Sequence, residues 1–474
     1  MSEGRLFSPA TASIRPALMS PLRHLISIND LSNAEIERVF ASATKYLRQL
    51  SNPETPYRVS RSLKIASGRV LATLFYEPST RTRLSFESAM LRLGGRTISS
   101  ADPATSSAAK GESLADTARV VSSYADALVI RHPRDGAARL AAEYADIPVI
   151  NGGDGSHEHP TQTLCDLYTL QREKGTFKGL NVVISGDLRG SRTIHSFVYA
   201  LARFNAEIRL MPGGKGMELP GHVDWRLRNE FHSHPLPKEK IAGGNANIDA
   251  VYRTAEQPHQ LALMTASDEA DIFYMTRFQK ERWPEGKKDY LKIDSKFLKD
   301  RRYRNASVLH PLPRVGELDA ELDALPRAAY FRQASYGVPI RMALIAGVLD
   351  LSRGSSLQKF GGGFPKAEFP LHQQSRELGL HCVNTNCITH DEHEGPYAGN
   401  KFYVVQKDGL RLRCYYCETD IADAIVGSRK TKTYKAADRA MKTASLKDAV
   451  FFNSVSEAAR AGYKLQRRAQ AAAG

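Results

Sequence analysis

Short apolar stretches of strand length alternate with longer segments whose apolar residues recur at helical spacing over most of this chain. The apolar stretches cover residues 70–76, 127–130, 148–150, 182–185, 208–211, 271–275 and 307–309. This alternation predicts an α/β fold with parallel sheets, and the length of the region predicts two of them. We therefore expect two doubly wound parallel-sheet domains within residues 22–352.

The sequence outside this region has a different character. Residues 1–21 lack the central apolar block of a signal peptide, so we interpret them as a leader, with an organelle transit peptide as the alternative. Residues 353–374 contain three consecutive glycines and two prolines, which predicts a linker. No apolar run is long enough to cross a membrane, and this favours a cytoplasmic protein.

Positive charge is concentrated at the carboxyl end. The formal net charge is +15, and residues 428–474 hold eleven Lys and Arg against three acids, which is a net +8 and leaves +7 for the rest. We interpret this segment as a basic tail, either a solvated surface or a site for an anionic partner. The remainder of the chain gives no reason to expect a nucleic-acid partner.

The stretch 75–83, Phe-Tyr-Glu-Pro-Ser-Thr-Arg-Thr-Arg, joins a strand end to a helix start rich in hydroxyl groups. Pro78 disfavours helix at the preceding residue, and Ser79 or Thr80 can cap the helix that follows. Free backbone N–H groups at that helix start, together with Arg81, would suit a phosphate group. An ordinary capped surface helix is the alternative.

Cationic and amide side chains follow the other predicted strands as well. They are Arg131, His159 and Gln162, Arg192, Arg277 and Gln279, and the segment 310–314, His-Pro-Leu-Pro-Arg. Ligands of open α/β sheets bind beyond the carboxyl ends of the strands. The pattern therefore predicts a single crevice for small, doubly anionic substrates.

These motifs resemble the catalytic chains of the aspartate carbamoyltransferase family over residues 22–352. The matching strings are Ser-Thr-Arg-Thr-Arg at 79–83, Val-Ile-Arg-His-Pro at 129–133, His-Pro-Thr-Gln at 159–162, Gly-Asp-Leu at 186–188, Tyr-Met-Thr-Arg-Phe-Gln at 274–279 and His-Pro-Leu-Pro-Arg at 310–314. The resemblance implies a carbamoyl-phosphate-binding domain over residues 22–160, completed by a helix over 337–352, and an aspartate-binding domain over 161–336. It also implies transfer of a carbamoyl group to L-aspartate in pyrimidine biosynthesis.

The same resemblance assigns roles to individual residues. The phosphate is expected to be held by Ser79, Thr80, Arg81 and Thr82, and the carbamoyl oxygen to be polarised by Thr82, Arg131 and His159. The carbamoyl NH2 is expected to be held by Gln162 and the carbonyls of Pro311 and Leu312. Aspartate is expected to be bound by Arg192, Arg277 and Gln279. Ser106 and Lys110 are expected to contact carbamoyl phosphate, and Lys110 also aspartate, from a neighbouring subunit of a homotrimer. Carbamoyl transfer of this kind relies on positioning and charge stabilisation and needs no protein nucleophile.

Four of the five cysteines lie in a Cys-x4-Cys and Cys-x2-Cys pair formed by Cys382, Cys387, Cys414 and Cys417. This spacing predicts one structural four-thiolate zinc site per chain, within a small β domain over residues 375–427. The two cysteine motifs resemble the zinc domain of the aspartate carbamoyltransferase regulatory chain. That resemblance implies a docking role and, beyond the trimer, trimers paired through the zinc domain.

Two other functions remain open at this point. One is a carbamoyltransferase with a different amino acceptor. The other is a zinc-containing nucleic-acid-binding or assembly protein on an inactive enzyme scaffold. Two departures from the family pattern, Gly316 after the His-Pro-Leu-Pro-Arg motif and Pro339 near the predicted start of the last helix, predict altered loop geometry.

Overall fold

The structure is a computed structural model of the 474-residue chain. It describes residues 24–101, 107–231, 233–235, 250–254, 269–280, 290–351, 371–374, 378–406, 410–422, 424–436 and 449–466. Ser106, the whole predicted leader and most of the predicted linker therefore lie outside the described residues.

The first α/β unit is built on a parallel four-stranded sheet. Its elements are α1 (Asn33–Leu50), β1 (Ser51–Asn52), β2 (Thr55–Val59), β3 (Val70–Phe75), α2 (Thr80–Leu93), β4 (Arg96–Ser100), α3 (Leu114–Ser122), β5 (Ala127–His132), α4 (Ala137–Tyr144), β6 (Val149–Asp154) and α5 (Pro160–Lys174). The strand order is β4-β3-β5-β6, and β1 and β2 form a separate ribbon.

Alternate residues of the same strand enter two different cores. In β3, Leu71 and Phe75 pack into a core shared with α1 and α2, whereas Ala72 and Leu74 pack into a second core on the opposite face. A strand buried on both faces is apolar at most of its positions, which is why the sequence shows nearly continuous apolar runs here and no alternation.

The second α/β unit has a mixed six-stranded sheet. Its elements are β7 (Asn181–Gly186), α6 (Arg192–Arg203), β8 (Glu207–Pro212), α7 (Gly221–Asn229), β9 (Ser233–Pro235), β10 (Ala250–Thr254), β11 (Ile272–Met275), α8 (Ser295–Leu298), β12 (Ser307–Leu309) and α9 (Tyr330–Val348). The order is β12-β11-β7-β8-β10-β9, in which β10 and β9 are antiparallel additions that the apolar pattern did not predict.

Helix α9 returns to the first unit and packs against α1, α2 and α5. It begins at Tyr330, seven residues before the predicted start, so Pro339 lies inside the helix and not near its beginning. A proline removes one backbone N–H from a helix interior, and the buried Ile340, Leu344 and Ile345 show that packing keeps the helix intact. Gly316 has φ +110°, a conformation that glycine adopts without strain, and this explains that departure.

Two small antiparallel sheets follow. The first is β13 (Leu371–Gln374), β14 (Asn400–Gln406), β15 (Arg411–Cys414) and β16 (Asp420–Ile421); with the four cysteines it forms what we call the metal module. The second, the C-terminal sheet, is β17 (Ile425–Ser428), β18 (Thr433–Ala436), β19 (Ala449–Phe452), α10 (Val455–Arg460) and β20 (Lys464–Leu465). The interpretation of residues 428–474 as a basic tail was therefore wrong for the described part, which folds around the buried Val450 and Phe452. The end of the predicted linker is likewise a strand, β13.

The metal module packs against the first unit of its own chain. Phe402 and Leu412 share one continuous core with Leu128 and Ala141 of the first unit. At the edge of this interface Asp135 accepts a hydrogen bond from Asn384 Nδ2 (2.6 Å). The module is thus an integral part of the fold. Within the described part of the chain, no helix has both the length and the apolar character needed to span a membrane.

Replacing Gly136 with alanine should loosen this interface. A Cβ at Gly136, which has φ +85°, would lie 2.6 Å from the carbonyl carbon of Tyr416 in the metal module, whereas Gly179, at φ +76°, has open space. We expect Gly179→Ala to cost about 1–2 kcal/mol through backbone strain. Gly136→Ala should cost a further ~1–3 kcal/mol through overlap. Chemical denaturation of both variants measures the difference in the free energy of unfolding. Equal losses of stability would show that the close contact of position 136 with Tyr416 does not contribute to stability.

Candidate active site

The predicted phosphate-binding residues follow strand β3 and lie at the start of α2. Ser79 is the N-cap residue, but its side chain makes no capping hydrogen bond, and Thr80 is the first helical residue. By contrast, Ser32 and Ser113 do cap α1 and α3. The amino terminus of α2 therefore keeps its backbone N–H groups and the Ser79 hydroxyl available for an anion. The sequence allowed either capping or anion binding, and this geometry favours anion binding.

Arg81 of the first unit and Arg277 of the second lie close enough for their charges to interact. The pKa of Arg81 is lowered by partial burial and by the Arg277 guanidinium nearby. Thr82, one residue further along α2, is buried. Two guanidinium groups whose charges repel each other are a natural site for a doubly charged anion.

Glu77 joins two more of the predicted arginines. Its Oε2 atom lies 3.1 Å from Arg131 Nε and 2.7 Å from Arg192 of the second unit. Arg192 also donates to the Gly155 carbonyl oxygen (2.7 Å), and its side chain is almost fully buried. One carboxylate thus holds a cation from each unit at the same place.

His159 is the N-cap residue of α5 and lies among these cations. Its backbone N–H donates to Ser196 Oγ (3.0 Å), and a Cβ at Gly153 would lie 3.3 Å from its ring and 3.0 Å from Arg192 Nε. Burial, Arg131 and Arg192 lower its pKa well below the usual value. The imidazole is therefore neutral near pH 7, and it can donate a hydrogen bond without carrying a charge of its own.

The orientation of Gln162 is fixed by a buried carboxylate. Gln162 Nε2 donates to Asp166 Oδ1 (2.7 Å), and the same carboxylate accepts hydrogen bonds from Gln333 Nε2 (2.6 Å) and the Tyr274 hydroxyl (2.8 Å). Because the donor end of Gln162 is occupied, its carbonyl oxygen is the end available to a ligand NH2 group. Burial raises the pKa of Asp166 to about 6.

The loop after β12 is folded back on itself. The Leu312 N–H donates to His310 Nδ1 (2.8 Å), and His310 Nε2 lies 2.8 Å from Glu317 Oε1. The Gln333 side-chain oxygen accepts the His310 N–H (2.9 Å), which ties this loop to Asp166. Among the described residues, none donates a hydrogen bond to the carbonyl of Pro311 or Leu312, so both can accept one from a ligand.

The remaining predicted residues have looser positions. The Gln279 N–H lies 3.4 Å from Asp187 Oδ2. Lys110 is exposed and precedes Gly111, where an added Cβ would lie 3.7 Å from the His393 ring of the metal module. These contacts leave the trimer prediction for Ser106 and Lys110 untested.

The four predicted cysteines form one cluster. Cys382 Sγ lies 3.4 Å from Cys417 Sγ, Cys387 Sγ lies 3.8 Å from Cys414 Sγ, all four sulfur atoms lie within 4.8 Å of one another, and all four residues are buried. Sulfur atoms around a tetrahedral metal with bonds of about 2.3 Å are about 3.8 Å apart. The cluster therefore fits a structural metal site. The fifth cysteine, Cys165, lies apart from the cluster in the hydrophobic core.

Three family models match the chain. They are the aspartate/ornithine carbamoyltransferase carbamoyl-P binding domain over residues 23–172, the Asp/Orn binding domain of the same family over 178–348, and the metal binding domain of the aspartate carbamoyltransferase regulatory chain over 375–426. The chain belongs to the aspartate/ornithine carbamoyltransferase family. Its carboxyl end carries a domain of the regulatory-chain type, as the cysteine motifs indicated.

Curated relatives and solved structures agree with this assignment. The aspartate carbamoyltransferase catalytic subunit of Methanocaldococcus jannaschii is 44% identical over 336 residues, which are 70% of this chain and 100% of the relative. A crystal structure of the catalytic subunit from M. jannaschii aligns with a TM-score of 0.56 at 43% identity, over 70% of this chain and 100% of that one. A Trypanosoma cruzi aspartate transcarbamoylase, in complex with N-(phosphonacetyl)-L-aspartic acid, aligns with a TM-score of 0.55 at 34% identity over 68% and 94%.

Sequence reasoning missed the acidic partners of the site. Glu77 lies inside the stretch 75–83, two residues before Ser79, so its position was the available signal. Asp166 and Gln333 are far apart in the sequence and meet only in the fold. No local pattern could have paired them.

The burial of His159 predicts acid sensitivity. The pKa of His159 is lowered in the folded protein, so below about pH 6.5 the unfolded chain binds more protons than the folded one. The free energy of unfolding therefore decreases as the pH decreases, by at most ~1.4 kcal/mol per pH unit. Above this range the contribution is constant. His159→Gln should therefore lose less stability than the wild type on acidification, as measured by chemical denaturation at two pH values. The exposed His381→Gln is the control, and equal pH dependence in all three proteins would contradict the assignment.

Proposed function

We propose that this protein transfers the carbamoyl group of carbamoyl phosphate to the amine of L-aspartate, giving N-carbamoyl-L-aspartate and phosphate, an early step of pyrimidine biosynthesis. The observation that carries the proposal is the meeting of Arg131 and Arg192, from different units, on one carboxylate beside a neutral His159. The family membership of both units supports the same reaction.

The first half of the mechanism concerns charge. Ser79, Thr80, Arg81 and Thr82 at the start of α2 would hold the phosphate, whose negative charge increases as it leaves. Arg131 and His159 would donate hydrogen bonds to the carbamoyl oxygen, which becomes negative when the amine nitrogen attacks the carbon. Donors fixed in place before the reaction stabilise such charge most effectively.

The second half concerns position. The Gln162 oxygen and the carbonyls of Pro311 and Leu312 would accept hydrogen bonds from the carbamoyl NH2 and so orient its plane. The C–N bond then forms, the C–O bond to phosphate breaks, and the amine loses a proton that the departing phosphate can accept. No covalent enzyme intermediate is required, because both substrates are held side by side.

The acceptor is proposed to be aspartate because its two carboxylates need cations. Arg192 and Arg277 supply guanidinium groups from the second unit, and Gln279, two residues after Arg277, supplies an amide. Guanidinium groups bind carboxylates through paired hydrogen bonds. An acceptor with a cationic side chain, such as ornithine, would be repelled.

We further propose zinc as the metal and a homotrimer as the assembly. Four thiolates satisfy zinc completely, which makes the site structural. Ser106 and Lys110 would complete a neighbouring subunit's site, and the metal module could pair trimers. Cytoplasmic location is part of the same proposal. An inactive scaffold with an assembly role is disfavoured because all of the proposed ligands in the described residues are retained.

Aspartate-dependent release of phosphate from carbamoyl phosphate tests the function. We expect turnover with L-aspartate and almost none with ornithine. Arg81→Ala should lower turnover by about 10²–10³-fold, the typical cost of losing a charge-stabilising donor. Arg277→Ala should chiefly raise the aspartate KM, because it removes a carboxylate ligand.

Arg83→Ala is the matched control for Arg81→Ala. Arg83 lies on the same helix and its Nε is 3.8 Å from Glu87, so it has a different partner. We expect it to retain most activity. Equal kinetics for Arg81→Ala and the wild type would contradict the proposed phosphate site. Turnover with ornithine would contradict the proposal that aspartate is the acceptor.

Metal analysis tests the cysteine cluster. Purified protein should contain one zinc ion per chain, and Cys387→Ser should lose it and unfold at a lower temperature, since metal binding contributes to folding. Cys165→Ala is the control, because Cys165 lies in the core far along the chain from the cluster. A metal-free wild type of unchanged thermal stability would contradict the proposed site.

A further inference from the structure

A single carboxylate of the metal module contacts both α/β units. Glu418 follows the last cysteine, Cys417, and has φ +56°. Its Oε1 lies 2.7 Å from Arg139 NH2, and its Oε2 lies 2.6 Å from Arg226 NH1. Arg139 is on α4 of the first unit and Arg226 is on α7 of the second. Glu418 therefore bridges the two units from outside the sheets.

Burial makes these contacts strong. The side chains of Arg139, Arg226 and Glu418 are 4%, 9% and 14% exposed. Ion pairs that are removed from water are screened little, and losing one partner leaves a buried charge unpaired. A bridge of this kind resists any change in the distance between its two arginines.

The module makes further contacts with the second unit at the same place. Arg413 NH1 lies 2.7 Å from Glu230 Oε1, and Glu230 in turn lies 3.0 Å from Arg226 Nε. The Arg411 guanidinium stacks over the Trp225 ring at 4.5 Å. The contact with the second unit is thus a network and not an isolated pair.

The bridge also faces the loop that carries His159. His157 and Glu158 each have a polar side-chain atom within 4.8 Å of Glu418, and His157 Nδ1 lies 3.0 Å from Asp154 Oδ2. Two carboxylates and an imidazole can bind a cation, but both oxygens of Glu418 already face arginines. Those arginines would repel a bound metal, so we interpret the group as an ion-pair network.

We propose that Glu418 is a positioning residue that holds the two α/β units in the arrangement where Arg192 reaches Glu77. This inference rests on the proposed function. Groups from the first unit bind phosphate, whereas aspartate needs Arg192 and Arg277 from the second unit. Loosening the bridge should therefore weaken aspartate binding much more than phosphate binding.

The test compares Glu418→Gln with Glu143→Gln in the full chain. Glu143 accepts a hydrogen bond from Tyr416 (3.0 Å) and pairs with Lys401, so it joins the metal module to the first unit only. Calorimetry measures the affinity for inorganic phosphate and for N-(phosphonacetyl)-L-aspartic acid, which spans both units under the proposal. Steady-state kinetics measures the KM of each substrate.

In Glu418→Gln we expect about tenfold weaker binding of N-(phosphonacetyl)-L-aspartic acid and a similar rise in the aspartate KM, as is typical of coupling between sites. Phosphate affinity and the carbamoyl-phosphate KM should change by less than about twofold, and Glu143→Gln should change all four quantities by less than about twofold. Equal effects of the two substitutions, or equal weakening of both ligands, would overturn the proposal.

Substitutions of Arg226 repeat the test if Glu418→Gln does not fold or loses its metal. Arg226→Gln removes only the contact of Glu418 with the second unit and should give the same selective weakening of aspartate binding. Arg226→Lys keeps a positive charge and should recover part of the lost aspartate affinity. An unchanged aspartate KM in Arg226→Gln would again overturn the proposal. Failure of the proposed function would instead appear in the wild type, as absence of aspartate-dependent turnover.

Discussion

The contact of Glu77 with Arg131 and Arg192 is the interaction on which the rest of the site depends. Four arginines beside a buried histidine would repel one another in a partly dry crevice, and between turnovers, without substrate anions, this repulsion would push the two units apart. One carboxylate placed between a cation of each unit reduces this repulsion and fixes their spacing. The cationic residues are thereby held in position to bind two small anions.

The same principle explains what the structure leaves unpaired. The amino terminus of α2 lacks a capping side chain, and the carbonyls of Pro311 and Leu312 accept no hydrogen bond from the described residues. These groups are at least partly exposed, so water can satisfy them in the free protein and a ligand can take the place of that water. Nearby, Asp166 accepts hydrogen bonds from Gln162, Tyr274 and Gln333, and Gln333 accepts one from the His310 N–H. These contacts fix the orientation of Gln162 and of the loop after β12.

Much of this site was predictable from the sequence, because parallel strands buried on both faces can be recognised as apolar runs. The residues that follow the carboxyl ends of these strands are then the candidates for ligand binding. Arg81, Arg131, His159 and Arg192 were predicted in this way, and the last three lie together in the structure. Glu77 and Gln333 were not, because carboxylates and amides are common on surfaces and acquire a role only through tertiary contacts. The C-terminal sheet was missed for a related reason: its strands are about four residues long, and its many lysines masked the few residues, such as Phe452, that form its core.

The metal module extends the account from the site to the assembly of the chain, since it shares a core with the first unit and pairs ions with both. In the proposed function, groups from two units converge on one pair of anions. A crystal structure of this protein with N-(phosphonacetyl)-L-aspartic acid tests that claim most directly. We predict the phosphonate at the start of α2 against Arg81 and the carboxylates against Arg192 and Arg277. A ligand bound with these arginines directed to separate places would contradict it.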